Sequence, residues 1–305
     1  MQIPCFLKRG DTVAIVSTAR KISRVEIQPA IDLLNHWGLQ PLIGKTIGAE
    51  RDQFAGDDPL RATDFQEMLD NTEVKAIWCA RGGYGTVRII DQLDFSTFLK
   101  NPKWIIGYSD ITVLHSHIHK LGVATQHAQM CLEIENKSEA TRETLRKALF
   151  GEIYSIEYNS SHPFQRNGEA KGLLVGGNLS MVYSLCGSPS TLDTQGKILF
   201  LEDLDEHLYH IDRMIQNLKR NGMLTNLAGL IIGSMSDMKD HTKEFGFASD
   251  RPFGKTAEEI IFDAIKEFNY PVCFNFPAGH NKDNRAIVFG KETFLKVEEN
   301  KVILQ

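Results

Sequence analysis

The sequence predicts an α/β protein, with an N-terminal parallel-sheet α/β domain followed by a C-terminal mixed β/α domain. Three observations carry this expectation. Apolar runs of strand length alternate with helix-periodic stretches at short spacing through the first half of the chain. After about Phe150 the pattern changes, and Glu152-Ile153-Tyr154-Ser155-Ile156-Glu157-Tyr158 alternates at period two. Several apolar runs also end directly in glycine, serine or carboxylate residues, at the strand ends where open α/β sheets place their sites.

Thr12-Val13-Ala14-Ile15-Val16 reads as a buried first strand ending in Ser17-Thr18-Ala19. A helix is expected from Arg24 to Trp37, with Ile27, Ala30, Ile31, Leu34 and Trp37 at helical spacing. Gly38 stops it, and Gln40-Pro41-Leu42-Ile43 is the second strand. The turn-rich loop Phe54 to Asp58 leads into a helix carrying Leu60, Ala62, Phe65 and Met68. Val74 to Ala80 is a strand that runs into Arg81-Gly82-Gly83-Tyr84-Gly85, followed by a helix near Thr86 to Gln92. Trp104 to Ile106 is a short buried strand that breaks at Gly107, and a helix restarts just after Ser109. This makes residues 1–150 a domain of flavodoxin/glutaminase-like kind. Residues 151–169, polar from Asn159 to Asn167 and interrupted by Pro163, read as a linker. Residues 170–305 form the second domain. It holds a Gly-rich turn (Gly176-Gly177-Asn178), a strand (Lys197 to Leu201), a helix through Leu208, Ile211, Met214, Ile215 and Leu218, and a strand over Leu227 to Ile232.

At 305 residues the chain can bury one large or two medium cores. Its 34 basic and 39 acidic side chains leave a mild net charge of −5, without a basic run, which argues against nucleic acid as a partner. The five cysteines are odd in number, scattered and free of C-x-x-C spacing, as expected for reduced thiols in a cytoplasmic protein. Met1 to Asp11 lacks the apolar core of a signal peptide. No apolar run approaches the roughly 18 residues of a membrane span, so no membrane partner is expected.

Four constellations carry chemistry. A serine at a strand-to-helix turn, as in Gly107-Tyr108-Ser109-Asp110, is lifted clear of the sheet, and the opening helix aims backbone N–H groups at a nascent oxyanion. Ile111 stands where the G-x-S-x-G pattern has its second glycine, and Ser109 or Asp110 could equally serve as a helix cap. Arg81-Gly82-Gly83-Tyr84-Gly85 reads as a tight turn, as an anion cradle, or as the donor of a Gly82 or Gly83 N–H to the same oxyanion. Arg81 and Tyr84 are candidate substrate-binding side chains. Arg81 is a cation for a free carboxylate, with a structural role as the other reading.

In Glu202-Asp203-Leu204-Asp205-Glu206, the acidic residues could hold a divalent cation or sit as a solvated helix start. Glu202 differs from the others, because it ends the buried run, where a carboxylate needs a partner. His280 follows the Pro277-Ala278-Gly279 turn at the end of the apolar run Val272 to Phe276. Of His115, His117 and His119, only the first and last share a helix face, with no third metal ligand evident. Ser109, Glu202 and His280 thus fall in the order nucleophile, acid, base, each at the end of a predicted strand.

The motifs Arg81-Gly82-Gly83-Tyr84-Gly85, Gly107-Tyr108-Ser109-Asp110 and Gly279-His280 resemble the LD-carboxypeptidases. So do Gly10-Asp11-Thr12-Val13, Phe54-Ala55-Gly56, Gly176-Gly177-Asn178-Leu179, Leu201-Glu202-Asp203 and Ile211-Asp212-Arg213-Met214. That family includes muramoyl-tetrapeptide carboxypeptidases and microcin-immunity peptidases, and the resemblance spans nearly the whole chain. It implies Ser109 as nucleophile, His280 as general base and Glu202 as its orienting carboxylate. The Asp110 and Gly82-Gly83 amides would form the oxyanion hole. It further implies metal-independent, cofactor-free release of D-Ala from cytoplasmic muropeptides by a homodimer. Same-triad cleavage of a peptidyl-nucleotide antibiotic and a non-catalytic ligand-binding module are the alternatives. The chain departs from the family at His127-Ala128-Gln129-Met130, often H-G-P-M, and at Ser17-Thr18-Ala19, often a Ser-Pro pair. Both departures are expected near the site, where they bear on the substrate.

Overall fold

In the computed structural model, which describes residues 1–305, the apolar runs of the first half become β1 (Thr12–Val16), β2 (Gln40–Ile43), β3 (Val74–Cys79), β4 (Trp104–Gly107) and β5 (Thr125–His127). Between them lie α1 (Gln28–His36), α2 (Asp58–Asp70), α3 (Ser96–Lys100) and α4 (Thr112–Lys120), and α5 (Glu139–Phe150) follows. The remaining chain forms β6 (Ile156–Asn159), β7 (Gly168–Asn178), α6 (Leu179–Ser184), β8 (Ile198–Leu204), α7 (Leu208–Arg220) and β9 (Gly229–Ser236). It continues through α8 (Ala257–Ile265), β10 (Val272–Cys273), β11 (Ile287–Phe289), β12 (Glu292–Val297) and β13 (Lys301–Leu304).

Two units result: Met1–Tyr154 with Lys282–Lys291, and Ser155–Asn281 with Glu292–Gln305. The first has a six-stranded sheet in the order β11-β5-β4-β3-β1-β2. Its β1 to β5 are parallel, and β11 closes the edge antiparallel to β5. Central strands covered on both faces read as continuous apolar runs, which is why β3 and β4 were legible without alternation. Trp78 and Trp104, on neighbouring strands, are wholly buried. The second unit has a seven-stranded sheet, β10-β9-β8-β7-β12-β13-β6. Strands β7 to β10 are parallel, and β12, β13 and β6 add an antiparallel wing.

The structure revises several boundaries. Helix α1 begins at Gln28 and not at Arg24, because Pro29, lacking an N–H, suits the first turn and cannot sit deeper. The helix expected near Thr86 to Gln92 is two 3₁₀ turns, Thr86–Arg88 and Ile90–Gln92, in a stretch whose β-branched residues resist helix extension. The alternating run over 152–158 becomes β6 at its C-terminal end, so the stretch 151–169, read as a linker, contains a strand, which pairs with β13. Residues 282–291, read as part of the second domain, return to the first unit, where β11 supplies the edge strand. Gly176-Gly177-Asn178 is the end of β7 and not a turn. A side chain at Gly176 would strike the Phe200 carbonyl of β8 at 1.9 Å.

Candidate active site

Ser109 stands two residues past the end of β4 and adopts φ +62°, a left-handed conformation that is unusual for a residue with a side chain. The capping alternative is not what the fold uses. The residues preceding both the 3₁₀ turn at Ser109–Ile111 and α4 make no side-chain cap. Asp110 is buried and accepts the Thr86 backbone N–H at 2.9 Å. Burial pushes its carboxyl above the ordinary range, against the pull of the Thr86 hydrogen bonds. The serine turn is thereby tied to the chain leaving the glycine turn.

That glycine turn comes close to the serine. A Cβ at Gly82 would lie 3.3 Å from Ser109 Cβ and 3.4 Å from its Oγ, with Met130 Cε at 3.2 Å. Gly83 has φ +108°, and a Cβ there would collide with the Arg20 side chain at 2.6 Å. Arg81 is half-buried and donates Nη1 to the Lys21 carbonyl at 3.2 Å. Tyr84 is 41% exposed, with its ring 6.0 Å from Phe54.

A buried network that no sequence motif marks adjoins the turn. Arg61, wholly buried on α2, donates to the Thr18 carbonyl (2.6 Å) and the Gly85 carbonyl (3.0 Å), and pairs with Asp58. Thr18 Oγ1 meets Thr86 Oγ1 at 2.7 Å. The one sequence signal for it is an arginine four residues before Phe65 on the buried helix face. One departure from the family pattern lies here, Thr18 against Thr86. In the other, Gln129 accepts from Asn284 Nδ2 at 3.1 Å and donates to the Leu132 carbonyl at 2.9 Å, while Met130, which keeps the family residue, lies against Gly82.

In the second unit, Glu202 is wholly buried, and its Oε2 stands 2.7 Å from His280 Nδ1. Strand β8 continues past it to Leu204, so Glu202 lies within the strand and not at its end. The pairing explains how a loop histidine reaches it. Leu201 pairs Ile232 but Asp203 pairs Met235, so β9 bulges opposite Glu202. At the bulge, Ser234 N–H turns to the Ala278 carbonyl at 3.1 Å, and Phe276 N–H donates to Ile232 O at 3.0 Å. Gly279, at φ +114°, then passes so close that a Cβ would sit 2.8 Å from Glu202 Oε2. Ser236 Oγ donates to the His280 carbonyl at 3.0 Å.

The other carboxylates of the acidic run have protein partners. Asp203 accepts from Asn178 Nδ2 (2.8 Å), Ser180 N–H (2.9 Å) and Leu204 N–H (2.9 Å). Its pKa is pushed up to about 7 by burial first and by the Glu202 charge second. Asp205 pairs with Lys239 at 2.6 Å, and Glu206 with His210 at 2.5 Å. His115 and His119 do share a face, but their rings meet the Gly107 carbonyl and Thr125 Oγ1, both at 3.0 Å. His117 lies 5.2 Å from the Phe95 ring. All five cysteines are free thiols, and burial raises those of Cys79, Cys131 and Cys273. No helix is long and apolar enough to cross a membrane.

Residues 13–128 match the LD-carboxypeptidase N-terminal domain, and residues 171–295 match the LD-carboxypeptidase C-terminal domain. The Bacillus subtilis protein named probable murein peptide carboxypeptidase is 34% identical over 308 residues, covering 99% of this chain and 94% of that one. The microcin C7 self-immunity protein of Escherichia coli is 25% identical, covering 89% of this chain and 86% of that one. The crystal structure of muramoyltetrapeptide carboxypeptidase from Oxalobacter formigenes superposes with a TM-score of 0.84 at 26% identity, covering 96% of this chain and 97% of that one. The chain has both domains of one peptidase family, and it belongs to the LD-carboxypeptidases.

Proposed function

We propose that the chain is a serine carboxypeptidase that hydrolyses an L,D-amide bond and releases a C-terminal D-amino acid, typically D-Ala, from murein tetrapeptides. Ser109 is the nucleophile, His280 the general base and Glu202 its orienting acid. The backbone N–H groups of Asp110 and of Gly82 or Gly83 receive the oxyanion. The observation that carries this reading is the 2.7 Å contact between His280 Nδ1 and a wholly buried Glu202. A carboxylate on Nδ1 holds the tautomer that leaves Nε2 to accept a proton, and it stabilises the imidazolium that forms. The left-handed Ser109 and the closeness of Gly82 to its Oγ support the nucleophile and the oxyanion donors. The names of the Bacillus subtilis and Oxalobacter formigenes proteins support the substrate class.

In this mechanism His280 takes the Ser109 proton as Oγ attacks the scissile carbonyl. The C–N bond then breaks, the amine leaves with that proton, and an acyl-enzyme remains. His280 next draws a proton from water, whose oxygen attacks the ester and frees Ser109. One oxyanion donor is typically worth about 2.7–4 kcal/mol of barrier. The reading includes muropeptide recycling in the cytoplasm, in keeping with five free thiols, and assembly as a homodimer.

The test is mass spectrometry after incubation with L-Ala-D-Glu-diaminopimelate-D-Ala and with its all-L isomer. Loss of the terminal residue from the first alone is expected, abolished in Ser109→Ala, whose fold is unchanged by circular dichroism. Full activity in Ser109→Ala overturns the assignment. A second reading, cleavage of a peptidyl-nucleotide antibiotic by the same triad, draws on the likeness to the Escherichia coli self-immunity protein. It predicts cleavage of an aminoacyl sulfamoyl nucleoside in place of the tetrapeptide. Fluorophosphonate labelling of Ser109 separates either enzyme from a non-catalytic binding module.

A further inference from the structure

We infer that Arg20, and not Arg81, holds the free carboxylate of the departing C-terminal residue; this rests on the carboxypeptidase reading above. Two neighbouring glycines join the nucleophile to this arginine. Gly82 lies against Ser109, its missing Cβ 3.4 Å from Oγ, and Gly83 lies against Arg20, its missing Cβ 2.6 Å from Cδ and 2.7 Å from Nε. Consecutive Cα atoms are about 3.8 Å apart, so the cation and the hydroxyl flank one short turn. In a C-terminal substrate, the carboxylate carbon is at most about 3.7 Å from the attacked carbonyl carbon, three bonds away. A carbonyl seated between Ser109 and the turn amides therefore carries its carboxylate along the same turn, toward the side chain lying over Gly83.

The two arginines are held differently. Arg81 spends Nη1 on the Lys21 carbonyl, which makes it a strut between the glycine turn and the loop after β1. Arg20 is exposed, while its backbone is pinned on that loop. Ser17 Oγ donates to its carbonyl at 2.7 Å, and it forms an antiparallel bridge with Phe54. The flanking amides of Lys21 and Ala55 bond to Gln53 and Ala19, each at 3.0 Å. The fixed backbone sets where the side chain starts, over Gly83, and the planar fork of its guanidinium matches a carboxylate with two parallel N–H bonds. It also accounts for the glycine at position 83, since any side chain there would displace the arginine from the turn.

The experiment compares kcat/KM for L-Ala-D-Glu-diaminopimelate-D-Ala and for the same peptide ending in D-alaninamide, in wild type, Arg20→Met, Arg20→Lys and Arg81→Met. Wild type is expected to prefer the free acid. Arg20→Met should lose about 10- to 100-fold on the acid and little on the amide, Arg20→Lys should recover part of the preference, and Arg81→Met should keep it. Preference unchanged in Arg20→Met, or an equal loss on both peptides, overturns the inference and leaves the peptidase reading standing. Equal cleavage of acid and amide by wild type does the same. A wild-type protein that cleaves neither peptide overturns the carboxypeptidase reading, and the inference with it.

Discussion

Glu202 has one oxygen on His280, and the other, Oε1, is buried without a hydrogen-bond partner. Burying a carboxylate is costly unless it is paired, and under the proposed mechanism the charge of Glu202 stabilises the imidazolium that forms on His280. Replacing it with Gln keeps the shape but removes the charge and allows an N–H to face Nδ1. Glu202→Gln should therefore lower kcat by about 10² or more, toward the 10⁴-fold loss seen when a triad carboxylate becomes an amide, with KM little changed. The same variant removes a neighbouring charge from Asp203, whose pKa near 7 should fall toward the ordinary range. Carboxyl-carbon NMR titration reads that shift, and an unmoved Asp203 would show that burial alone raises it.

At the scale of elements, the serine turn after β4, the glycine turn and α2 are joined through buried side chains. Asp110 bonds Thr86, Thr86 bonds Thr18, and Arg61 binds the carbonyls of Thr18 and Gly85. The network ties Gly85 and Thr86, where the chain leaves the glycine turn, to the residue after Ser109. Asp110→Ala should free the Thr86 N–H, cost about 1–3 kcal/mol of stability and slow fluorophosphonate labelling of Ser109. Asp110→Asn keeps an acceptor and should recover most of the labelling rate. Recovery of stability without labelling would separate the fold from the oxyanion geometry. The network was mostly illegible in the sequence, because Arg61 and Thr18 are 43 positions apart and no spacing rule relates them.

At the scale of the molecule, acid should act through buried histidines. His115 is wholly buried, and burial lowers its pKa to about 4 despite the bond to the Gly107 carbonyl. Around it lie His119 and His127, with ring centroids 6.5 and 6.4 Å away, and Phe289 of β11, at 5.6 Å. Between its ordinary value of 6.5 and about 4, the unfolded chain binds a proton that the native state does not. Stability is thus complete above pH 6.5 and is lost as pH falls toward 4, by on the order of 3 kcal/mol from this residue. Urea unfolding at pH 7 and pH 4.5 should show the loss. His115→Gln should be less stable at pH 7 and less sensitive to acid, and an unchanged pH slope would rule His115 out as the source.

By itself the sequence determined the α/β class, the places of β1 to β4 along the chain and the residue types that follow them. Strand-length apolar runs and local motifs depend on near neighbours, so β1 to β4, the Ser109 turn and the glycine turn were legible. Tertiary structure decided the rest. The alternating run at 152–158 was visible, but the edge that β6 joins is offered by β13, far along the chain. The loop histidine at 280 became the partner of Glu202 because β9 bulges and Gly279 has no side chain to hold the two apart. The arginine beside the glycine motif became a strut, while one from the loop after β1 came to lie over the turn. Each of these depends on contacts between distant segments, which no local pattern encodes.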